Sequence, residues 1–245
     1  MKENAKFDVY DPKIAIKYAK QFAGNQYTEE MGTVLTVALK DLRNLPVLGF
    51  AKVDVIPFQD YVSKWVDKYL KGFNGRPSVR TGKKSNTYSD PIVKLVLQAR
   101  LPKISKDTAD QVEGGHSLMM TIENLVGDLL EEYLSIKLKE NGWCCCWGST
   151  MDAVDFCKAD GSLIQIKNSD NSENSSSSRV RAGTTIEKWY RRKSTKEGAF
   201  FWDGLNAMVN RKDLTEDDFR KFVQDTIKNN PGCLYVPSDH SLNKK

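Results

Sequence analysis

Apolar side chains recur every three to four residues through most of the first hundred positions, the spacing that gathers them on one face of an α-helix. The repeat predicts helices over 12–22, 29–42 and 58–70, the last with Phe58, Val62, Trp65, Val66 and Tyr69 on one side. Asp90-Pro91 supplies an N-cap and a first-turn proline for a helix reaching Arg100. After Gly114-Gly115, the stretch HSLMMTIENLVGDLLEEYLSIKLKENG predicts the longest helix, closed by Asn141-Gly142. At about 100° per residue, Ile122, Leu125, Val126, Leu129, Leu130, Tyr133 and Leu134 form one broad apolar face. Glu123 falls inside that arc, Asp128 and Glu131 point away, and Glu132 sits just outside the other edge. A helix-start Glu favoured by the macrodipole is the competing reading of Glu123.

The period then shortens to two. WCCCW, AVDFC and LIQIK read as strands, the last two joined by a turn at Ala159-Asp160-Gly161. Side chains alternate across a strand, so Gln165 and Lys167 share one face and Ile164 and Ile166 the other. A two-residue turn would set Asp155 opposite Ile166. A three-residue loop ending in Gly161 at positive φ sets it opposite Gln165, and that parity favours one cluster of Asp155, Gln165 and Lys167. Burying such groups unpaired costs about 1 to 3 kcal/mol each, so a function should offset it. Beyond lie the polar segment NSDNSENSSSSRVRAGTT, then IEKWYRRKS and FFWDGLN, and a closing helix capped by Thr215 with Phe219, Phe222, Val223 and Ile227 on one side.

Composition narrows the class. The chain has 245 residues, 40% hydrophobic and 28% charged, and no apolar run approaches the roughly 18 residues that span a bilayer. The opening MKENAKFDVYDPK has no apolar signal core, and five cysteines, three of them consecutive, do not suggest a disulfide framework; a soluble cytoplasmic protein is expected, with no membrane partner. WCCCW lacks any CxxC or HxxxH pair, so buried thiols in a central strand are expected rather than a zinc site. With only His116 and His240, a His-centred hydrolase has few resources. The formal charge is +5, and residues 175–198 carry seven basic side chains against two acidic ones, an excess of five. Arg76, Arg80, Lys83 and Lys84 form a second basic stretch. Clustered positive charge in loops suggests a polyanion, most simply nucleic acid.

An Asp, an oxygen donor across from it and a Lys two residues further on are what metal-assisted phosphodiester hydrolysis requires. Hard oxygen ligands hold Mg²⁺, and the Lys orients a water or stabilises developing negative charge. Glu123, on the preceding helix, completes the expected metal set of Asp155, Gln165 and Glu123, with Asp152 or Glu132 as substitutes. An ordinary ion pair between Asp155 and Lys167 remains the competing reading.

Asp155, the ten-residue step to Gln165, and Lys167, following a helix with an inward Glu, resemble the D…(E/Q)xK arrangement of the PD-(D/E)xK nuclease superfamily. The continuation IQIKNSDNSENSSSSRVRAGTTIEKWYRRKS, with the helix ENLVGDLLEEYL, resembles type II restriction endonucleases of the SinI type over about residues 115–205. The resemblance implies an α/β restriction-endonuclease-like fold, a mixed sheet flanked by helices with a helical N-terminal region. It also implies Mg²⁺-dependent cleavage of both strands of double-stranded DNA at a short palindrome, GGWCC-like by family. Gln165 departs from the usual Glu or Asp and puts the metal number and affinity in question. A palindrome with two scissile phosphates predicts a C2 homodimer, and a cognate DNA methyltransferase is the expected genetic partner. Another nuclease of the superfamily, acting in repair or recombination, and a non-catalytic DNA-binding module are the alternatives.

The expected division is a mainly helical region over 1–110 and a nuclease core over 111–245, with a basic recognition segment at 168–198. Asn and Arg suit bidentate contacts to adenine and guanine edges, while Ser, Lys and backbone N–H groups suit phosphates. Asn168, Asn171, Ser177, Arg179 and Arg181 are therefore expected at the DNA, the two arginines on bases, with Lys188, Arg191 and Arg192 on phosphates.

Overall fold

Side-chain caps set where most of the helices begin. In a computed structural model that describes residues 6–83, 91–101, 103–170 and 185–236, Asp11 accepts from the Lys13 N–H at 2.8 Å and opens α1 (Pro12–Ala23), with Pro12 in the first turn. Thr28 accepts from the Met31 N–H at 3.1 Å and opens α2 (Glu29–Lys40). The aromatic stripe from Phe58 to Tyr69 is the buried face of α3 (Phe58–Asn74), and α4 covers Pro91–Arg100. The next helix differs from the sequence expectation. α5 spans Lys106–Lys137, 32 residues, starting upstream of Gly114-Gly115 at a Ser105 cap that accepts from the Thr108 N–H at 3.0 Å. Two mid-helix glycines weaken a helix by about 1 kcal/mol each. Here Lys94 of α4 pairs with Asp110 at 2.7 Å and Glu113 at 2.5 Å and holds the start of α5 in place. Residue 110, the expected division, lies inside this unbroken helix.

The strands form two sheets, and the period-two segments supply the larger one. β1 (Lys6–Phe7) and β2 (Val55–Ile56) form a small parallel pair. β3 (Trp143–Cys145), β4 (Phe156–Lys158), β5 (Leu163–Ser169) and β6 (Ile186–Arg192) form the main sheet in that order, antiparallel up to β5 and parallel between β5 and β6. The fold is a mixed α/β arrangement with a sheet flanked by helices, as restriction-endonuclease-like folds are. β3 is an edge strand of this sheet among the described residues, not a central one. Its cysteines are nonetheless buried and unpaired, because α2 and α5 both pack against it. Burial pushes the Cys145 and Cys146 thiols well above the usual range, so they stay protonated and are poor metal ligands. α6 (Trp202–Val209) and α7 (Glu216–Asn229, capped by Thr215) close the chain against the end of the sheet.

Buried side chains of α1, α2 and α3 join those of α5 and the sheet in one cluster. Trp65 of α3 donates its indole N–H to the Thr150 carbonyl at 2.9 Å, tying the helical region to the β3–β4 connection. That connection takes left-handed backbone at Gly148 (φ 72°), Ser149 (φ 54°) and Ala153 (φ 60°), which costs a non-glycine residue about 1 kcal/mol or more. It brings the chain back as β4 immediately after Asp155. Among the described residues no helix is long and apolar enough to cross a membrane.

Candidate active site

The β4–β5 hairpin is fixed by its loop. Phe156 faces Ile164 and Cys157 faces Leu163, a register that leaves Ala159, Asp160 and Gly161 as a three-residue loop. Gly161 has φ 99°, its N–H bonds the Lys158 carbonyl at 2.9 Å, and Asp160 accepts from the Ser162 N–H at 2.8 Å. Lys40 at the end of α2 donates to the Ala159 carbonyl at 3.0 Å and pins the loop. The pairing ends at Phe156 and Ile164, and the Asp155 N–H also turns to the Ile164 carbonyl, so Asp155 leaves the regular ladder beside Gln165.

Asp155 stands where the sheet forks. Its carbonyl accepts from the Cys146 N–H at 2.9 Å, its N–H donates to the Ile164 carbonyl at 2.9 Å, and its carboxylate Oδ2 accepts from the Ile166 N–H at 2.7 Å. The carboxylate thus occupies the place a backbone carbonyl would take in a continued ladder, midway between Gln165 and Lys167. Gln165 is 2% exposed and Lys167 half-buried. Burial raises the Asp155 carboxyl above the usual range, and the Ile166 N–H and the Lys167 ammonium partly offset this. On β6, Lys188 faces Gln165, Tyr190 faces Lys167 and Arg192 faces Ser169, so these side chains share the face of Gln165 and Lys167.

The acidic partner from α5 is Glu131. Burial, then the charges of Asp155 and Asp128, push its carboxyl up to about 8, while Lys167 pulls it down. Glu123 does not join the group; it is exposed, two turns back along α5. The helical wheel set Glu123 inside the apolar arc but carries no axial coordinate. Eight residues of helix are about 12 Å, and the buried run of α5 beside the sheet begins only at Leu125. Glu132 is buried and committed elsewhere. It accepts from the Ser78 N–H at 3.0 Å and the Ser78 hydroxyl, with the Arg76 Nε 3.4 Å away. Asp152 is exposed.

The donor set suits a hard divalent cation. Two carboxylates whose charges oppose one another, with an amide side chain on the strand facing one of them, are relieved by a cation between them. Among the described residues no three His, Cys, Asp or Glu side chains gather as a metal cage. Any such site therefore draws on two carboxylates and on neutral oxygens.

The expected DNA contacts separate. Asn171, Ser177, Arg179 and Arg181 lie outside the described residues. Lys188 and Arg192 are half-buried on the site face. Arg191 is on the opposite face and is not offered to a phosphate. It is 8% exposed, its Nη1 donates to both Glu216 carboxylate oxygens at 2.6 and 2.8 Å, and its Nε donates to Asn168 Oδ1 at 2.8 Å. Asn168 is thereby held as an orienting acceptor for that arginine. Trp202 donates to the same Glu216 at 3.0 Å.

Comparison with known proteins gives the same direction. The type II restriction enzyme Eco47I of Escherichia coli is 43% identical over 146 residues, and the type II restriction enzyme SinI of Salmonella infantis is 43% identical over 147 residues. Each match covers 58% of this chain and 63% of the relative, so the chain spans less than two thirds of their length. A family model described as SinI restriction endonuclease matches residues 52–229, a stretch running from before α3 to the end of α7. The chain belongs to the SinI restriction endonuclease family.

Proposed function

We propose that the protein is a type II restriction endonuclease that hydrolyses a phosphodiester bond in each strand of double-stranded DNA at a short palindromic site. Family membership supports the class of reaction, and one observation carries the site: the Ile166 N–H that holds the Asp155 carboxylate against the strand of Gln165 and Lys167, with Glu131 in the electrostatic reach of Asp155. In this reading Asp155, Glu131 and Gln165 hold Mg²⁺, with Glu131 taking the place expected for Glu123. When bound, the cation supplies charge neutralisation at the scissile phosphate and an acidified water.

The chain's own groups do the rest. Asp155 is clamped by the Ile166 N–H, and that bond and the Lys167 charge favour its ionised form against the burial that raises its carboxyl. Lys167 presents an ammonium beside the carboxylates, where it orients the attacking water or meets charge developing on the phosphate. Lys188 and Arg192, in register along the same face, extend positive charge away from the site. A five-base-pair GGWCC-like sequence is the proposed recognition site. Two strands cut by one site each call for a homodimer, with a DNA methyltransferase protecting the same sequence.

Digesting a plasmid with the purified protein tests the reading. Mg²⁺-dependent discrete fragments are expected. Smearing or structure-selective nicking would favour a repair or recombination nuclease, and binding without cutting would leave a DNA-binding module.

A further inference from the structure

The last two turns of α3, the loop that follows and the Trp147–Ser149 turn enclose a cleft of about 640 Å³, closed on its far side by Asp128 and Glu131 of α5. Its floor is backbone against backbone. A Cβ on Gly72 would lie 2.2 Å from the Gly148 nitrogen, and one on Gly148 would lie 2.3 Å from the Lys68 carbonyl oxygen, so neither position can carry a side chain. Four basic side chains reach the cleft: Lys68, Lys71, Arg76 and Arg80. Arg80 is neutralised by Asp128 at 2.5 Å. Arg76 lies 3.4 Å from Glu132, and the two lysines share the cleft with Asp67. Lys68 and Lys71 form no ion pair among the described residues, and Arg76 is stacked 3.6 Å over the Phe73 ring with its Nη1 buried and given no hydrogen-bond partner.

Glu131 belongs at once to this cleft and to the Asp155 site. Through Glu131 the cleft borders the proposed cation site. Arg76 is held on the cleft wall by the Phe73 ring and Glu132, and Lys68 and Lys71 carry the positive charge that the cleft offers. We infer that the cleft between α3 and α5 seats DNA-backbone phosphate beside the scissile one, gripped by Lys68, Lys71 and Arg76. This inference rests on the nuclease reading above, and it makes the helical region part of the DNA-binding surface rather than a scaffold alone.

The test is a Lys68→Ala, Lys71→Ala double variant, with Lys68→Arg, Lys71→Arg as the rescue. Neither lysine makes an ion pair among the described residues, so melting temperatures equal to wild type are expected. Binding to a duplex that wild-type protein cleaves is measured in EDTA between 50 and 200 mM salt, apart from any cleavage step. Each lost phosphate contact lowers the slope of log affinity against log salt by about 0.9. The alanine variant should lose a slope of about 2 and bind about tenfold or more weakly at low salt, and the arginine variant should recover both. Wild-type slope and affinity in the alanine variant would overturn the phosphate seat while leaving Mg²⁺-dependent cleavage by the wild type standing. Weakened binding at an unchanged slope would overturn it as well, since the loss would not be electrostatic. A wild-type protein that bound and cut no DNA would overturn both readings.

Discussion

The Ile166 backbone N–H donates to the Asp155 carboxylate across 2.7 Å. This bond sets the carboxylate between Gln165 and Lys167 and turns a hairpin edge into a place where charge is held. Asp155→Asn keeps an acceptor for the bond but removes the charge. It should leave the melting temperature near wild type and reduce cleavage by about 100-fold or more, with binding to the same duplex retained. Lys167→Ala should behave alike. Cleavage at the wild-type rate in either variant, measured in single turnover, would remove these residues from the chemistry.

Gln165→Glu should retain cleavage and need less Mg²⁺. A third carboxylate adds a full negative charge to a hard-cation site that otherwise has two. The half-saturating Mg²⁺ concentration for cleavage reads this directly, and a variant that needs more Mg²⁺ than wild type would place the Gln165 amide outside the metal's reach.

Arg191 and Arg192 are adjacent yet should fail in different ways. Removing Arg191 takes a bidentate ion pair from the largely buried Glu216, which keeps Trp202 and Arg220, and frees Asn168, a loss of about 1–3 kcal/mol, so Arg191→Ala should melt below wild type. Arg192→Ala should melt normally and bind DNA with a salt slope reduced by about 0.9. Thermal melts and salt titrations of the two proteins separate the roles. An Arg191→Ala protein of native stability with a reduced salt slope would reverse the assignment.

The metal-free protein should lose stability as pH rises from about 4.5 to about 8. Folded Glu131 keeps its proton up to about 8, against 4.5 for an ordinary glutamate. Between those values the folded state binds more protons than the unfolded one, and stability falls with pH. Asp155, also raised, adds in the same direction. Glu131→Gln removes its share. In EDTA it should melt higher than wild type at pH 8, by about 2–4 °C for each kcal/mol relieved, and the gap should close near pH 4. A gap that grows toward acid pH would contradict the buried-carboxylate account.

The hairpin was readable before any coordinates. The three-residue loop of Ala159, Asp160 and Gly161, with its positive φ at Gly161, follows from the parity argument, while the departure of Asp155 from the ladder does not. The same alternation shows that Arg191 and Arg192 occupy opposite faces, a signal present in the sequence and overlooked when both were placed on phosphates. What angular patterning could not supply was depth along α5. Glu131 sits beyond the edge of the apolar arc, and Glu123 inside it, yet only Glu131 is level with the site. A rise count finds it. Four strand residues from Gly142 to Cys146 climb about 14 Å, and the same distance back down a helix is about nine residues from the turn at Lys139–Asn141, which reaches Glu131. The start of α5 was hidden for a different reason. Gly114-Gly115 reads as a break, and only the Ser105 cap and the Lys94 ion pairs show that the helix continues through it.

Which glutamate of α5 completes the cation site is the central question for this protein. Cleavage rates titrated against Mg²⁺ in Glu131→Gln and Glu123→Gln compare the two directly. Glu131→Gln should lose activity severely at every Mg²⁺ concentration or need far more of it, and Glu123→Gln should follow the wild-type curve. Wild-type Mg²⁺ dependence in Glu131→Gln, or its loss in Glu123→Gln, would contradict the site described.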